Sequence, residues 1–511
     1  MTKISGQVYD VIIAGSGLGG LLCGNILAKE GMRVCILEKH HQPGGGLQTF
    51  IRKGISFATG VHYFGSMDPG QTLYRYWNYL GLTGSLDLER MNPDGFDIIG
   101  IGDDEYPLAM GFENFAARLL PLFPSGKVVL EKYCDSLKEI SRAFPLYNLE
   151  LPGNHKEDHY RALCAYQFFS DLANELKVTG SISQRNQARA LLVNVLTGNN
   201  LLYAGNRSNT PLHIPALINH SFISSAWRPV NGSEQIAKKL LESFRAMGGA
   251  IVLNQEIRKI SISNNSFSIK TASREYFSSK KFISSMHPAN TLGMMDPALF
   301  RKSYSRRITG LKNTVSSFAL YIVLKDGAFR YLDHNYYYHK PEDAPSEEHS
   351  MAWRETYMLH TPPPASEDGF AKSMIIMTSM PFSNFMKWQN TRTGDRGPGY
   401  LDFKTKCAES LLDLVEKKFP GIRQAVQFME ISTPLTWRDY TGTPEGAMYG
   451  IERDCHEPLG TTVLPATKIP GFYFTGQNIN IHGVLGVTIG AVLTCGEILG
   501  QEYLLTKIKN S

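Results

Sequence analysis

The chain opens on an apolar, β-branched run, Val8-Tyr9-Asp10-Val11-Ile12-Ile13-Ala14, the pattern of a strand covered on both faces. A glycine-rich turn follows, then a helical stretch from Leu21 to Glu30 stopped by Gly31, and a second strand over Met32 to Leu37. Much later, Trp227-Arg228-Pro229-Val230-Asn231-Gly232-Ser233 precedes an amphipathic helix predicted over 234–247, a Gly248-Gly249 turn and strands through Ile260. Residues 281–288 read as a further strand. Residues 76–224 read as mainly helical, with aromatics among apolar positions over 160–169, 200–204 and 212–218. Ser317–Leu324 and Ser373–Thr378 read as strands of a sheet, Asp395–Tyr400 as a loop, and Thr405–Lys418 as a helix stopped by Pro420-Gly421. A strand from Gly471 and a Gly/Ala-rich helix through Leu499 complete an α/β pattern without internal repeats.

Composition narrows the class. With 42% apolar and 19% charged residues over 511 positions, the chain can bury a large core. Its net charge, 52 − 47 = +5, is too dilute for nucleic acid but leaves a peripheral membrane contact open. Seven scattered cysteines form no C-x-x-C pair, which fits reduced thiols in the cytoplasm and no metal site. The first residues lack the pattern of a secretory leader, and the apolar runs 11–28 and 483–495 are Gly-punctuated and too short to span a bilayer.

The N-terminal elements carry a chemistry. Gly15-Ser16-Gly17-Leu18-Gly19-Gly20 matches G-x-G-x-x-G between strand and helix. Gly15 permits the tight turn, Gly17 lets backbone approach a pyrophosphate, and Gly20 lets helix and strand pack closely. The helix N-terminus offers free N–H groups to phosphates. Glu38, 23 residues after Gly15, can accept from both ribose hydroxyls, which favours FAD or NAD over NADP. No second unit of this kind follows: Ile99-Gly100-Ile101-Gly102 lacks a third glycine and a helix. Electrons are therefore expected to enter or leave through a diffusing partner such as NAD(P)H, a quinone, ferredoxin or O2.

Pro43-Gly44-Gly45-Gly46-Leu47-Gln48-Thr49, Thr59-Gly60-Val61-His62-Tyr63-Phe64-Gly65, Thr433 to Gly442, Gly446 to Gly450, and Thr475-Gly476-Gln477-Asn478 resemble segments of the phytoene desaturase, carotenoid isomerase and retinol saturase family. The resemblance covers both ends and the middle nucleotide piece. It implies a discontinuous Rossmann-like FAD-binding domain of amine-oxidase type over 1–75, 225–290 and 445–511. An inserted α+β substrate domain would then comprise 76–224 and 291–444. It implies FAD contacts from Gly15, Gly17, Leu18, Gly19, Gly20, Glu38, Lys39, Gly45 and Gly46, with Ile257 beside adenine. It further implies contacts from Gly476, Gln477 and Asn478 to pyrophosphate and ribityl, and from Gly486 and Val487 to the flavin pyrimidine edge. Two departures stand out: Ala58 where the family often has Asp, and Gly46 where it often has Arg or Cys.

The implied reaction is hydride transfer between flavin N5 and a carbon of a long apolar polyene, as saturation, desaturation or isomerisation. His62, Tyr63 and His482 are the candidate catalytic residues, with Tyr449 behind them. One alternative is a flavin amine oxidase. Another is a flavin-free carrier of prenylated proteins like the Rab GDP-dissociation inhibitors, against which the intact glycines of 475–487 argue.

Overall fold

The computed structural model describes residues 8–151, 156–341 and 355–511. Its first sheet has seven strands drawn from three distant stretches of chain. Val8–Ala14 lies in the middle, parallel to Val34–Leu37 on one side and Tyr276–Ser284 on the other. Ala250–Val252 extends one edge, and the short Phe472–Phe474 strand runs parallel to the end of Tyr276–Ser284. Ile257–Ser263 and Ser266–Thr271 complete an antiparallel meander. Val11, Ile12, Ile13 and Ala14 are wholly buried, as their continuous apolar pattern requires. Two helices, Leu18–Lys29 and Gly483–Leu499, pack together against this sheet. The architecture is the expected Rossmann-like α/β fold.

A second seven-stranded sheet has the order Val426–Ser432, Ser316–Leu324, Ser373–Met380, Thr356–His360, Asn335–His339, Asp97–Ile101 and Asp104–Leu108. All nine residues of Ser316–Leu324 are buried, because the sheet is covered on both sides. Strand alternation divides its side chains between two cores. Ala319, Tyr321, Tyr337, Met358, Ile375 and Met377 join the core shared with the first sheet. Phe318, Leu320, Tyr336, Leu359 and Ile376 pack instead on the Pro398–Lys418 helix.

Three expectations change in detail. The 76–224 region is not only helical, since Asp97–Leu108 forms a hairpin whose first strand joins the second sheet parallel to Asn335–His339. Asp395–Tyr400 is not all loop: the long helix begins at Pro398, and a proline suits a first turn whose N–H groups have no intrahelical partner. The aromatic stretch 160–169 is two helices, Lys156–Ala162 and Ala165–Asn174, parted where Cys164 bridges Pro211.

Candidate functional site

A cavity of about 470 Å³ runs from the first sheet to beneath the second. At its nucleotide end the Val8–Ala14 strand turns through Gly15 (φ +91°) into the Leu18–Lys29 helix, capped by the extended Gly17. A Cβ on Gly20 would stand 2.0 Å from the Gly15 carbonyl oxygen, and one on Gly19 2.8 Å from Gly476 Cα. These two glycines are demanded by the protein's own packing. Gly17 is different: a Cβ there meets nothing closer than Ser285 Oγ at 3.9 Å, and one on Gly46 meets nothing within 4 Å, although both glycines line the cavity. The space they leave open faces the cavity, which suits backbone approach by a pyrophosphate-bearing ligand.

Glu38 is buried at the end of its strand, where Oε2 accepts from Ser16 N–H (2.9 Å) and Ser16 Oγ (2.6 Å) and Oε1 from His40 N–H (2.9 Å). Its carboxylate is held at the cavity wall in one orientation. Lys39 also lines the wall, donating to the Asp439 carbonyl at 3.1 Å, and burial lowers its pKa. Ile257 lines the same end, just where the ladder to Ser266–Thr271 changes register.

The far glycine block closes the other wall. Gly476, Gln477 and Asn478 line the cavity, with Gly476 at φ +90°, and Asn478 Oδ1 accepts from Ile451 N–H at 2.9 Å. Arg453, itself half-buried, donates to the carbonyls of Asn478 (2.6 Å), Ile479 (3.2 Å), Asn480 (3.3 Å) and Thr461, fixing this loop. Gly486 and Val487 lie at the N-terminal end of the Gly483–Leu499 helix, just behind the opening N–H groups that have no intrahelical partner and place partial positive charge on the cavity. Gly486 packs so tightly on Ile481 that a Cβ would be 2.4 Å from the Ile481 carbonyl oxygen.

Every residue expected to hold the cofactor lines this one cavity except Gly20, which lies beneath the turn. His62, Tyr63, His482 and Tyr449 line it too. His482 Nε2 donates to the Leu202 carbonyl at 2.8 Å, and its ring lies 3.9 Å, centroid to centroid, from that of Tyr449. Burial lowers its pKa to about 4, so the imidazole is neutral at physiological pH. His62 has no hydrogen-bond partner at either ring nitrogen, and burial lowers it likewise to about 4. It stands between the main cavity and a second one of about 240 Å³ that His360 also lines. Tyr63 Oη lies 3.0 Å from Asp97 Oδ2 and 2.7 Å from Tyr337 Oη.

Beyond Tyr63 the wall becomes apolar, formed by side chains such as Leu201, Leu217, Phe222, Met358 and Met377. Tyr337 pairs across strands with Met358, and Met358 with Met377, so the second sheet presents a row of three side chains to the cavity. Among the described lining residues the only acids are Glu38 and Glu256, both at the nucleotide end. Sequence reading missed Tyr337 and the buried Asp97 behind it. An acid inside the apolar run Phe96-Asp97-Ile98-Ile99 and the triplet Tyr336-Tyr337-Tyr338 were the signals available.

Fold and cleft together define an enzyme of the dinucleotide-binding oxidoreductase class. Residues 13–80 match the NAD(P)-binding Rossmann-like domain. Along nearly its whole length the chain is similar to curated all-trans-retinol 13,14-reductases and prolycopene isomerases. It is 26% identical to the all-trans-retinol 13,14-reductase of Homo sapiens, over 99% of this chain and 87% of that protein. With prolycopene isomerase 2 of an Oncidium hybrid cultivar it shares 23% identity over 95% and 83% of the two chains. The fold also resembles wild-type putrescine oxidase bound to putrescine, with a TM-score of 0.63 and 13% identity over 98% and 99% of the chains.

Proposed function

We propose that the protein is an FAD-dependent oxidoreductase acting on a carbon–carbon double bond of a long apolar polyene of retinoid or carotenoid kind. The observation that carries this reading is the single cavity joining a dinucleotide cleft to an apolar pocket beneath the second sheet. Bound in the cleft, FAD supplies reversible two-electron hydride chemistry.

The chain's own residues divide the remaining work. Gly15, Gly17, Gly45 and Gly46 bring backbone close to the pyrophosphate, Glu38 takes the ribose hydroxyls, and Ile257 packs beside adenine. The N–H groups at Gly486 and Val487 favour negative charge at the flavin pyrimidine edge. Leu217, Phe222, Met358 and Met377 hold an apolar chain and exclude water, and positioning in a dry slot accounts for much of the rate in such steps. His62, with both ring nitrogens free, orients whatever polar atom enters beside it. In domain terms, 1–75, 225–290 and 445–511 hold the cofactor, and 76–224 with 291–444 hold the substrate. A diffusing donor or acceptor exchanges electrons with the cofactor. Oxidation of a C–N bond fits less well, because no carboxylate among the described residues lines the apolar end to receive an ammonium group.

The test mixes anaerobic, chemically reduced enzyme with all-trans-retinol and a small carotenoid panel, following flavin reoxidation and product mass. Reoxidation with a gain of two hydrogens is expected of a saturase, and an isomer of unchanged mass of an isomerase. A colourless protein that takes up no FAD, or a flavoprotein inert to every polyene in both directions, would overturn the proposal.

A further inference from the structure

We propose that Asp97 is a proton store for this site, delivering through the Tyr63 hydroxyl to Tyr337, which presents the proton to the substrate. The inference rests on the polyene reading, since adding two hydrogens to an alkene requires one proton for every hydride.

Asp97 is wholly buried and does not itself line the cavity, whereas Tyr63 and Tyr337 both do. Strand register assembles the group. Asn335 pairs with Asp97 across the parallel strands, and Tyr337 follows two residues on, on the same face. Asn335 Nδ2 donates to Asp97 Oδ1 at 2.9 Å. The amide is locked in that orientation, because its Oδ1 lies 2.9 Å from His360 Nδ1. Asp97 Oδ1 is therefore occupied as an acceptor, and a proton on the carboxyl belongs on Oδ2, facing Tyr63 Oη at 3.0 Å.

The string has two polarities. A protonated Asp97 donates to Tyr63, Tyr63 donates to Tyr337 across 2.7 Å, and the Tyr337 hydrogen is left to point into the cavity. An ionised Asp97 reverses both bonds and withdraws that hydrogen. Burial raises the Asp97 pKa to about 7 despite the hydrogen bonds from Asn335 and Tyr63, the Arg228 guanidinium and the Asn199 amide. The nearby His360 and His62 are kept neutral by burial, and burial holds Tyr63, Tyr337 and Tyr449 in the phenol form.

The reaction balances. With reduced flavin in the cleft, the alkene would take a hydride, with two electrons, at one carbon, and Tyr337 Oη would give a proton to its neighbour. Tyr337 regains a proton from Tyr63, and Tyr63 from Asp97. The carboxylate left behind recovers a proton from bulk solvent through the same two hydroxyls once product has left the cavity.

The test is infrared difference spectroscopy on the holoenzyme without substrate, wild type against Asp97→Asn and Tyr63→Phe, from about pH 5 to about pH 9. Circular dichroism and flavin content confirm that each variant is folded. The expected result is a carboxylic-acid C=O band that titrates near neutrality, vanishes in Asp97→Asn and shifts in Tyr63→Phe. Turnover in Tyr337→Phe should fall at least ~100-fold, and the wild-type loss of kcat/KM above neutral pH should flatten in Asp97→Asn. A carboxylate at every pH, a band indifferent to Tyr63→Phe, or full activity in Tyr337→Phe overturns the proposal. A titrating, Tyr63-coupled band in an enzyme inert to every polyene supports the store and sinks the polyene reading instead.

Discussion

Glycines in the nucleotide turn serve two masters, and substitution separates them. An alanine at Gly20 drives its Cβ into the Gly15 carbonyl, so Gly20→Ala is expected to cost about 2 kcal/mol of stability, read as a lower melting temperature. The Cβ of Gly17→Val meets only Ser285 at ordinary contact distance, and its methyl groups fill the space before the helix. It should leave the apoprotein folded and abolish flavin retention, seen as loss of yellow colour with unchanged circular dichroism. A Gly17→Val protein that stays yellow would refute the assigned cradle. His62 permits a third expectation. Both its nitrogens are buried without partners, an arrangement that costs free energy, so His62→Phe should hold or raise the melting temperature while lowering kcat/KM by about tenfold or more. The glycine pattern, Glu38 and His62 were legible in sequence because each sits inside a local motif. Asp97 was not, because its meaning depends on a hydroxyl 34 residues away and an amide 238 residues away.

Among elements, the loop from Gly476 to His482 depends on a neighbouring side chain, Arg453. One guanidinium gathers the carbonyls of Asn478, Ile479 and Asn480, which no regular element satisfies. Arg453→Leu leaves those buried carbonyls unpaired and is expected to destabilise the protein by about 3 kcal/mol and weaken cofactor retention, measured by thermal melts with and without added FAD. The strand and helix flanking this loop were readable from hydrophobic pattern and glycines. The second sheet was readable only in part: Ser316–Leu324 and Ser373–Met380 announce themselves as apolar runs. That Asp97–Ile101 would lie against Asn335–His339 is a long-range pairing that no local periodicity encodes.

Over the whole molecule, buried imidazoles set the response to acid. Burial depresses His62, His220, His287 and His482 to about 4, and His213 and His360 well below their ordinary value. The unfolded chain takes up protons at these residues below about pH 6.5 while the folded chain does not, so stability present above that pH is lost as pH falls. Asp97, raised to about 7, acts in the opposite sense but is a single group. The melting temperature is expected to be roughly 10 °C lower at about pH 5.5 than at about pH 7.5. A flat profile across that window would mean that these histidines titrate normally.

The first and last parts of the cleft meet where Cys23 Sγ donates to Thr475 Oγ1 at 3.3 Å, across 452 positions of chain. During synthesis the opening strand, turn and helix leave the ribosome long before the residues that close over them. A nascent chain therefore lacks one wall of the cleft, and any ligand gripped from both sides is held only after release.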